Sequence, residues 1–215
     1  MEPTGYIEKS DRVPSYWEKL CTQWAKMIQR YCRDTNCQDP PYLHNERANV
    51  GFIAAAAWAV GKIALEEYHS RRLSGGTASR ARPDLWISRG GDSDLFEAKI
   101  LKFGFPDNIG DAKSLLLEAT EKVLSVKEPY PDPYNRRFAL LVCAIGVRVR
   151  PTELLLPPAE RCIAGLQSLA VDSIAWTIPR GMRRTPPDPG QRLRWEYPGA
   201  AILLRRVDRR RTRYA

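Results

Sequence analysis

Three charged side chains of the sequence have the types and the spacing to hold a divalent metal ion. Asp84 begins one apolar run, residues 84–88, and Glu97 and Lys99 lie two residues apart in the next run, residues 94–101. Both runs have the composition of β-strands, and alternate residues of a strand face the same side, so Glu97 and Lys99 project together. The glycine-rich turn between the runs predicts a hairpin, which can bring Asp84 beside the other two side chains.

Two carboxylates and an ammonium group at one place predict a particular chemistry. Hard oxygen ligands suit Mg²⁺, or Mn²⁺ as its substitute, and Mg²⁺ keeps several waters and binds substrate phosphates. Such an ion can polarise a phosphate and lower the pKa of a bound water. Lys99 could orient or deprotonate an attacking water, or neutralise charge in the transition state. The carbonyl of Ala98, between the two charged residues, is a further candidate ligand.

The 215-residue chain carries a formal net charge of +9, which favours a polyanionic partner. The charge alone does not choose between DNA, RNA, an acidic protein and an anionic membrane. Part of the excess is an arginine cluster at the C-terminus, formed by Arg205, Arg206, Arg209, Arg210, Arg211 and Arg213. This cluster is interpreted either as a solvated tail or as a nucleic-acid contact.

Cysteine usage and hydropathy limit the other classes of function. The five cysteines form no Cys-x-x-Cys pair and only two histidines accompany them, so a zinc site is disfavoured. No run reaches the roughly 18 apolar residues that a membrane helix needs, and the first residues lack the apolar stretch of a signal peptide. We therefore expect a cytoplasmic protein without a membrane span.

The segment before the charged residues predicts two helices and a strand. Residues 14–32 place apolar side chains at helical spacing, which indicates an amphipathic helix. Asn45 is a favourable N-cap, and the segment from there to Val60 is apolar nearly all round after its first turn. It predicts a buried helix that ends at Gly61. A short strand is expected at residues 63–69.

The segment after the charged residues completes an α/β pattern. It predicts helices at residues 111–126 and 158–170, and strands at residues 138–146, 171–178 and 200–206. The run 138–146 is continuously apolar, as in a central strand that is buried on both faces. Proline-rich loops are expected between these elements. The order of helices and strands indicates an α/β sandwich.

The two charged runs together resemble the motif of the PD-(D/E)xK phosphodiesterase superfamily. Pro83-Asp84 is followed by twelve residues and then by Glu97-Ala98-Lys99, and apolar strand residues flank both halves. The family also places a glutamate on the helix before the first core strand. Glu46 is the first candidate, because its Glu-Arg pair resembles the helix start of archaeal Holliday-junction resolvases. Glu66 and Glu67 are the alternatives.

This resemblance, which spans about residues 45–146, implies a restriction-endonuclease-like core. Such a core has a central mixed sheet of about four or five strands flanked by helices. We expect a single domain over residues 1–215, with an N-terminal helical segment (1–44), a nuclease-like core (45–150) and a C-terminal α/β extension that ends in the basic tail (151–215). The catalytic residues implied are Asp84, Glu97, Lys99 and Glu46. The implied Mg²⁺ ligands are Asp84, Glu97, the Ala98 carbonyl and, through water, Glu46.

Neither half of the motif is specific by itself. Pro-Asp occurs four times in the chain. A second acid-x-Lys, Asp111-Ala112-Lys113, follows Pro106-Asp107 too closely for a hairpin and opens a predicted helix. Asp84 with Glu97 and Lys99 has both strands, the turn and the preceding helix. The alternative interpretation is an ordinary exposed hairpin with a surface ion pair.

The resemblance implies a Mg²⁺-dependent nuclease that hydrolyses phosphodiester bonds of DNA. Arg80, Arg82 and Lys102 are candidates for contacts with the nucleic-acid backbone, and solvated side chains are the alternative for each. Two further hypotheses stay open: a catalytically silent module of this fold that binds nucleic acid or protein, and a partner of an acidic protein. A homodimer is compatible with the resemblance. The sequence does not choose between DNA and RNA, or between endo- and exonucleolytic cutting.

Overall fold

Ten strands and four α-helices are found in the residues that the structure, a computed structural model, describes: 3–67, 70–74, 77–89, 92–127, 136–150, 154–182 and 194–208. The helices are α1 (Trp17–Asp34), α2 (Glu46–Ala59), α3 (Ile109–Ser125) and α4 (Leu156–Gln167). The strands are β1 (Thr4–Glu8), β2 (Ala64–Glu66), β3 (Ser70–Ser74), β4 (Thr77–Ala81), β5 (Leu85–Arg89), β6 (Asp92–Phe103), β7 (Val126–Lys127), β8 (Arg136–Val149), β9 (Ser173–Thr177) and β10 (Arg194–Val207).

The centre of the protein is a mixed seven-stranded sheet in the order β1-β9-β10-β8-β6-β5-β2. Only β6 and β8 are parallel neighbours within it, and the other neighbouring pairs are antiparallel. The predicted α/β class is confirmed, but the prediction of about four or five strands was wrong. The sheet is larger because β9 and β10, from the C-terminal segment, continue it beyond β8, and β1 pairs with β9.

Two helical layers cover the sheet. Helices α1 and α2 pack on one face, where Phe96 and Phe138 of the central strands point. Helices α3 and α4 pack on the other face, where Phe103 and Leu141 point. This alternation explains the continuous apolar run of β8, because a central strand between two helical layers has no solvent face. In the first layer, Trp17 stacks on Phe96 with a centroid distance of 5.6 Å, and Phe96 stacks on Phe138 at 5.2 Å.

Helix α2 begins and ends where the sequence predicts. The side chain of Asn45 accepts a hydrogen bond from the backbone N–H of Ala48 at 2.9 Å, as an N-cap does. Gly61, just after the helix, has a φ of +77°. The prediction that this helix is buried all round was wrong, since Trp58 is 55% exposed. A run of alanines is apolar on every side and therefore does not indicate which side faces water.

The second sheet was not predicted. It has three short strands in the order β4-β3-β7. Strands β3 and β4 are rich in serine and arginine and lack the apolar alternation that identifies a half-buried strand. The predicted strand at residues 63–69 is shorter in the structure, where β2 ends at Glu66 and Glu67 has a φ of +46°. The predicted hairpin glycines, residues 90–91, and the predicted loop at 129–135 lie outside the described residues.

A buried ion pair joins the first paired residues of the two parallel strands, β6 and β8. The guanidinium of Arg136 in β8 donates two hydrogen bonds, of 2.7 and 2.8 Å, to the carboxylate of Asp94 in β6. The hydroxyl of Tyr16 donates a third, of 2.7 Å, to the same carboxylate. This contact joins β6, β8 and the residue before α1.

In the described part of the chain, no helix is long and apolar enough to span a membrane.

Helix α3 offers a direct test of the layered packing, because it carries two adjacent leucines in opposite environments. Leu116 is 1% exposed and Leu117 is 54% exposed. Replacing Leu116 by alanine should lower the free energy of unfolding by about 2–5 kcal/mol, because it leaves a cavity under the helix. Leu117→Ala changes helix propensity equally and should alter stability by no more than about 0.5 kcal/mol. Urea unfolding measures both, and equal losses would contradict this packing.

Candidate active site

The site forms where β6 continues beyond its neighbour. The last residue pair of β5 and β6 is Leu85 with Phe96, and β6 runs on to Phe103. We call the β5 side of residues 97–103 the open edge of β6, since no strand in the described ranges pairs with it there. The backbone N–H of Ala98 donates a 2.7 Å hydrogen bond to Oδ2 of Asp84. The Asp84 carboxylate therefore takes the place that a β5 carbonyl would otherwise fill.

Lys99 and Glu46 join the strand to the start of helix α2. Nζ of Lys99 donates to Oε2 of Glu46 at 3.3 Å. The Lys99 side chain is 11% exposed and the Glu46 side chain 36%, so water reaches this ion pair mainly on the Glu46 side. Glu46 is the first residue of α2, where the partial positive charge of the helix end favours a carboxylate. The structure thus brings Glu46 to the same edge of β6 as Asp84.

Helix α3 contributes two side chains that the sequence interpretation missed. Nζ of Lys122 lies 2.9 Å from Oε1 of Glu118 and 3.9 Å from Oε1 of Glu97. The same Glu118 oxygen lies 4.0 Å from Nζ of Lys99. Five side chains therefore form an alternating chain of charges, Glu46–Lys99–Glu118–Lys122–Glu97. The sequence did carry a signal, because Glu118 and Lys122 have the i, i+4 spacing of a helical ion pair on the helix that follows β6.

A cavity of about 240 Å³ opens beside Asp84. It is lined by Asn45, Glu46, Arg47, Val50, Glu66, Glu67 and Asp84. The backbone N–H of Glu67 donates to the carbonyl of Asp84 at 3.3 Å, and Arg47 lies 3.6 Å from the Glu67 carboxylate. Glu46 and its two sequence alternatives, Glu66 and Glu67, therefore line one cavity, and the contact with Lys99 distinguishes Glu46 from the other two.

Burial and neighbouring negative charge raise the pKa values of two acids in this cavity, Asp84 and Glu66. Burial raises the pKa of Asp84 most; the hydrogen bond from Ala98 opposes the shift, and the nearby Glu46 carboxylate adds to it. Burial also raises the pKa of Glu66. On α3 the hydrogen bond with Lys122 lowers the pKa of Glu118, and the same bond raises the pKa of Lys122. Glu118 and Lys122 thus favour each other's charged forms, whereas burial disfavours the charged forms of Asp84 and Glu66.

The donor set suits a hard cation, although the side chains are not arranged as a closed metal site. Among the described residues, no group of three His, Cys, Asp or Glu side chains is placed to hold a metal ion. Lys99 extends between Glu46 and Glu118, and Asp84 is hydrogen-bonded to Ala98. The oxygens present are carboxylate oxygens, which Mg²⁺ prefers. The cavity also has room for water ligands, each of which occupies roughly 30 Å³.

The three predicted nucleic-acid contacts are placed differently. Arg82 is exposed two residues before Asp84. Lys102 is exposed near the end of β6, with Nζ 5.6 Å from the centre of the Tyr197 ring. Arg80 lies in β4, opposite Arg71, and its side chain falls outside the described residues. Arg82 and Lys102 are therefore accessible to a ligand that approaches the open edge of β6.

The raised pKa of Asp84 predicts that a neutral side chain stabilises the fold. Asparagine keeps the shape and an acceptor for Ala98, and it removes the buried charge and the repulsion from Glu46. We expect Asp84→Asn to raise Tm by roughly 2–4 °C, the shift that about 1 kcal/mol produces in a domain of this size. Asp107→Asn is the matched control, because Asp107 also follows a proline but is exposed. A Tm of Asp84→Asn at or below that of this control would contradict the interpretation.

The arrangement as a whole places acids and ammonium groups from two strands and two helices around one strand edge. Asp84, just before β5, and Glu46 of α2 supply carboxylates at this edge, Lys99 of β6 pairs with Glu46, and Glu97 of β6 lies beside Lys122 of α3. Oxygen ligands beside a protonated amine are able to bind a divalent cation and an anionic ligand together.

No protein-family model, curated protein or solved structure matches the chain.

Proposed function

We propose that the protein is a metal-dependent nuclease that hydrolyses phosphodiester bonds of DNA. The observation that carries the proposal is the meeting of Asp84, Lys99 and Glu46 at the open edge of β6, with Glu97 on the same strand. Residues 53 positions apart in sequence meet there through an ion pair that is partly buried. An ordinary exposed hairpin would not gather them. The net charge of +9 supports a polyanionic substrate.

Each residue has a role in this proposal. Asp84, Glu97 and the Ala98 carbonyl would hold Mg²⁺, or Mn²⁺ in its place, and Glu46 would act through water. When bound, the ion supplies Lewis-acid polarisation of a phosphate oxygen and a water of lowered pKa. Lys99 orients the attacking water or neutralises charge that develops on the phosphate. Arg80, Arg82 and Lys102 contact the nucleic-acid backbone.

The architecture supports a restriction-endonuclease-like core as part of the proposal. Helix α2 precedes the strands that carry the acids, β5 and β6 form an antiparallel pair, and α3 connects β6 to the parallel strand β8. These are the elements that the resemblance implies, in the order that it implies. The proposal places the protein in the cytoplasm, where DNA is accessible.

Cleavage of DNA in the presence of Mg²⁺, with the DNA supplied both as a duplex plasmid and as a single-stranded circle, tests the proposal. We expect the wild type to cut, and Asp84→Ala and Lys99→Ala each to lower the rate by at least about 100-fold, the loss typical of removing one transition-state contact. Lys113→Ala is the matched control, because Lys113 belongs to the second acid-x-Lys sequence, is exposed on α3 and lies outside the site. It should cut like the wild type.

The outcomes of this experiment separate the possibilities. Equal cutting by all four proteins would assign the activity to a contaminant and reject the site. Circular dichroism of each variant shows whether a loss of cutting reflects loss of fold, and Lys99→Arg provides a variant that keeps a cation for Glu46 and Glu118.

One observation favours a second candidate function, a catalytically silent module that binds nucleic acid or protein. Lys99 extends between Glu46 and Glu118, so its ammonium group already neutralises part of the acid cluster. Titration calorimetry with Mn²⁺ distinguishes the two functions. The nuclease predicts a binding heat that Asp84→Asn abolishes, and the silent module predicts no heat at this site and nucleic-acid or protein binding that is indifferent to metal.

A further inference from the structure

The ring of an exposed tryptophan, Trp195, packs against two glycines, Gly104 and Gly146, near the end of β6. A Cβ atom on Gly104 would lie 2.6 Å from Cη2 of Trp195, and one on Gly146 would lie 3.4 Å from its Cε3. The first distance is shorter than a real Cβ contact allows, so the indole ring occupies the space that a side chain at Gly104 would need. Trp195 is nevertheless 46% exposed. The ring thus lies against the backbone at two positions, while much of the residue stays accessible to a ligand.

Two exposed cations lie on the strands beside this ring. Trp195 is in register with Arg148 of β8, which is exposed. Lys102 is also exposed, and its Nζ lies 5.6 Å from the centre of the neighbouring Tyr197 ring. The one carboxylate on this part of β10, Glu196, lies 2.6 Å from the guanidinium of Arg194 and is neutralised by it. An accessible aromatic ring near cations matches a nucleic acid, which offers a π-face and a phosphate in each nucleotide.

The position of the ring relates it to the proposed active site. Lys102 lies three residues beyond Lys99 on the same strand, which corresponds to roughly 10 Å. Gly104, under the ring, is two residues further on. Side chains alternate along a strand, so Lys102 and Gly104 face the opposite side of the sheet from Lys99. That side is the one covered by α2, and the first residue of α2 is Glu46. A strand of a few nucleotides that follows the open edge of β6 can therefore reach from Asp84 and Glu46 to the indole ring.

We propose that Trp195, with Lys102 and Arg148, binds an unpaired base, and that the substrate of the site is single-stranded nucleic acid. This inference rests on the proposed nuclease function for its biological meaning, but its binding step does not depend on cleavage. The physical reason for an unpaired strand is that both faces of a base inside a duplex are already covered by neighbouring bases. An indole ring can stack only on a base whose face is accessible.

The test measures binding without cleavage. Fluorescence anisotropy of a labelled single-stranded oligodeoxyadenylate is recorded in EDTA, with Asp84→Asn as the background of every protein. Trp195→Ala should weaken binding roughly 5- to 150-fold, the loss expected when one base–aromatic stack is removed. Trp195→Phe retains a ring and should recover most of the affinity. Trp58→Ala is the matched control, because Trp58 is also an exposed tryptophan, 55% against 46% for Trp195, but lies on α2, and it should bind like the background protein.

A blunt hairpin duplex of the same composition completes the experiment. We expect its affinity to change little on Trp195→Ala. The inference is overturned if the background protein does not bind the single strand, if Trp195→Ala binds it as tightly as Trp58→Ala, or if duplex binding falls by the same factor. Because no cutting is measured, these results stand whether or not the wild type is a nuclease. Conversely, if the wild type cuts DNA but Trp195→Ala leaves the affinity for the single strand unchanged, only this inference is rejected, and the nuclease proposal stands.

Discussion

The site depends on the different lengths of two neighbouring strands. Strand β5 stops pairing with β6 at Phe96, and β6 continues for seven more residues. A backbone N–H that loses its strand partner needs another acceptor when it is buried, and the Asp84 carboxylate supplies one to Ala98. This hydrogen bond keeps an acid at the edge of the sheet in spite of the desolvation that raises its pKa. It also fixes the part of β6 from which Glu97 and Lys99 project.

The parallel pairing of β6 and β8 determines what covers these two side chains. Parallel neighbours cannot be joined by a tight turn, so the chain crosses a face of the sheet between them. Helix α3 makes this crossing on the face of Glu97 and Lys99, and it contributes Glu118 and Lys122. The buried pair of Asp94 and Arg136 holds the first residues of both strands in register. The charges of the site thus depend on an ion pair that lies only three residues before Glu97 on the same strand.

Sequence patterns could predict the local elements of the site, and they failed where the determining contacts are distant or polar. The cap at Asn45, the stop at Gly61 and the continuous apolar run of β8 are determined by nearby residues, and the structure confirms them. Strands β3 and β4 carry no apolar alternation, and the seven-strand width depends on pairings between remote segments. The role of Gly104 and Gly146 depends on an indole ring about fifty or more residues away along the chain, which no local pattern can reveal.

The alternating chain of charges has a consequence for electroneutrality. With Asp84 included, the cluster holds four carboxylates, from Glu46, Asp84, Glu97 and Glu118, and two ammonium groups, from Lys99 and Lys122. When all six groups are ionised, the cluster carries two net negative charges, which one divalent cation would cancel. In the proposed reaction, a phosphate diester would restore one negative charge. A further cation of the protein on the approach, such as Arg82 or Lys102, would then be needed to balance it.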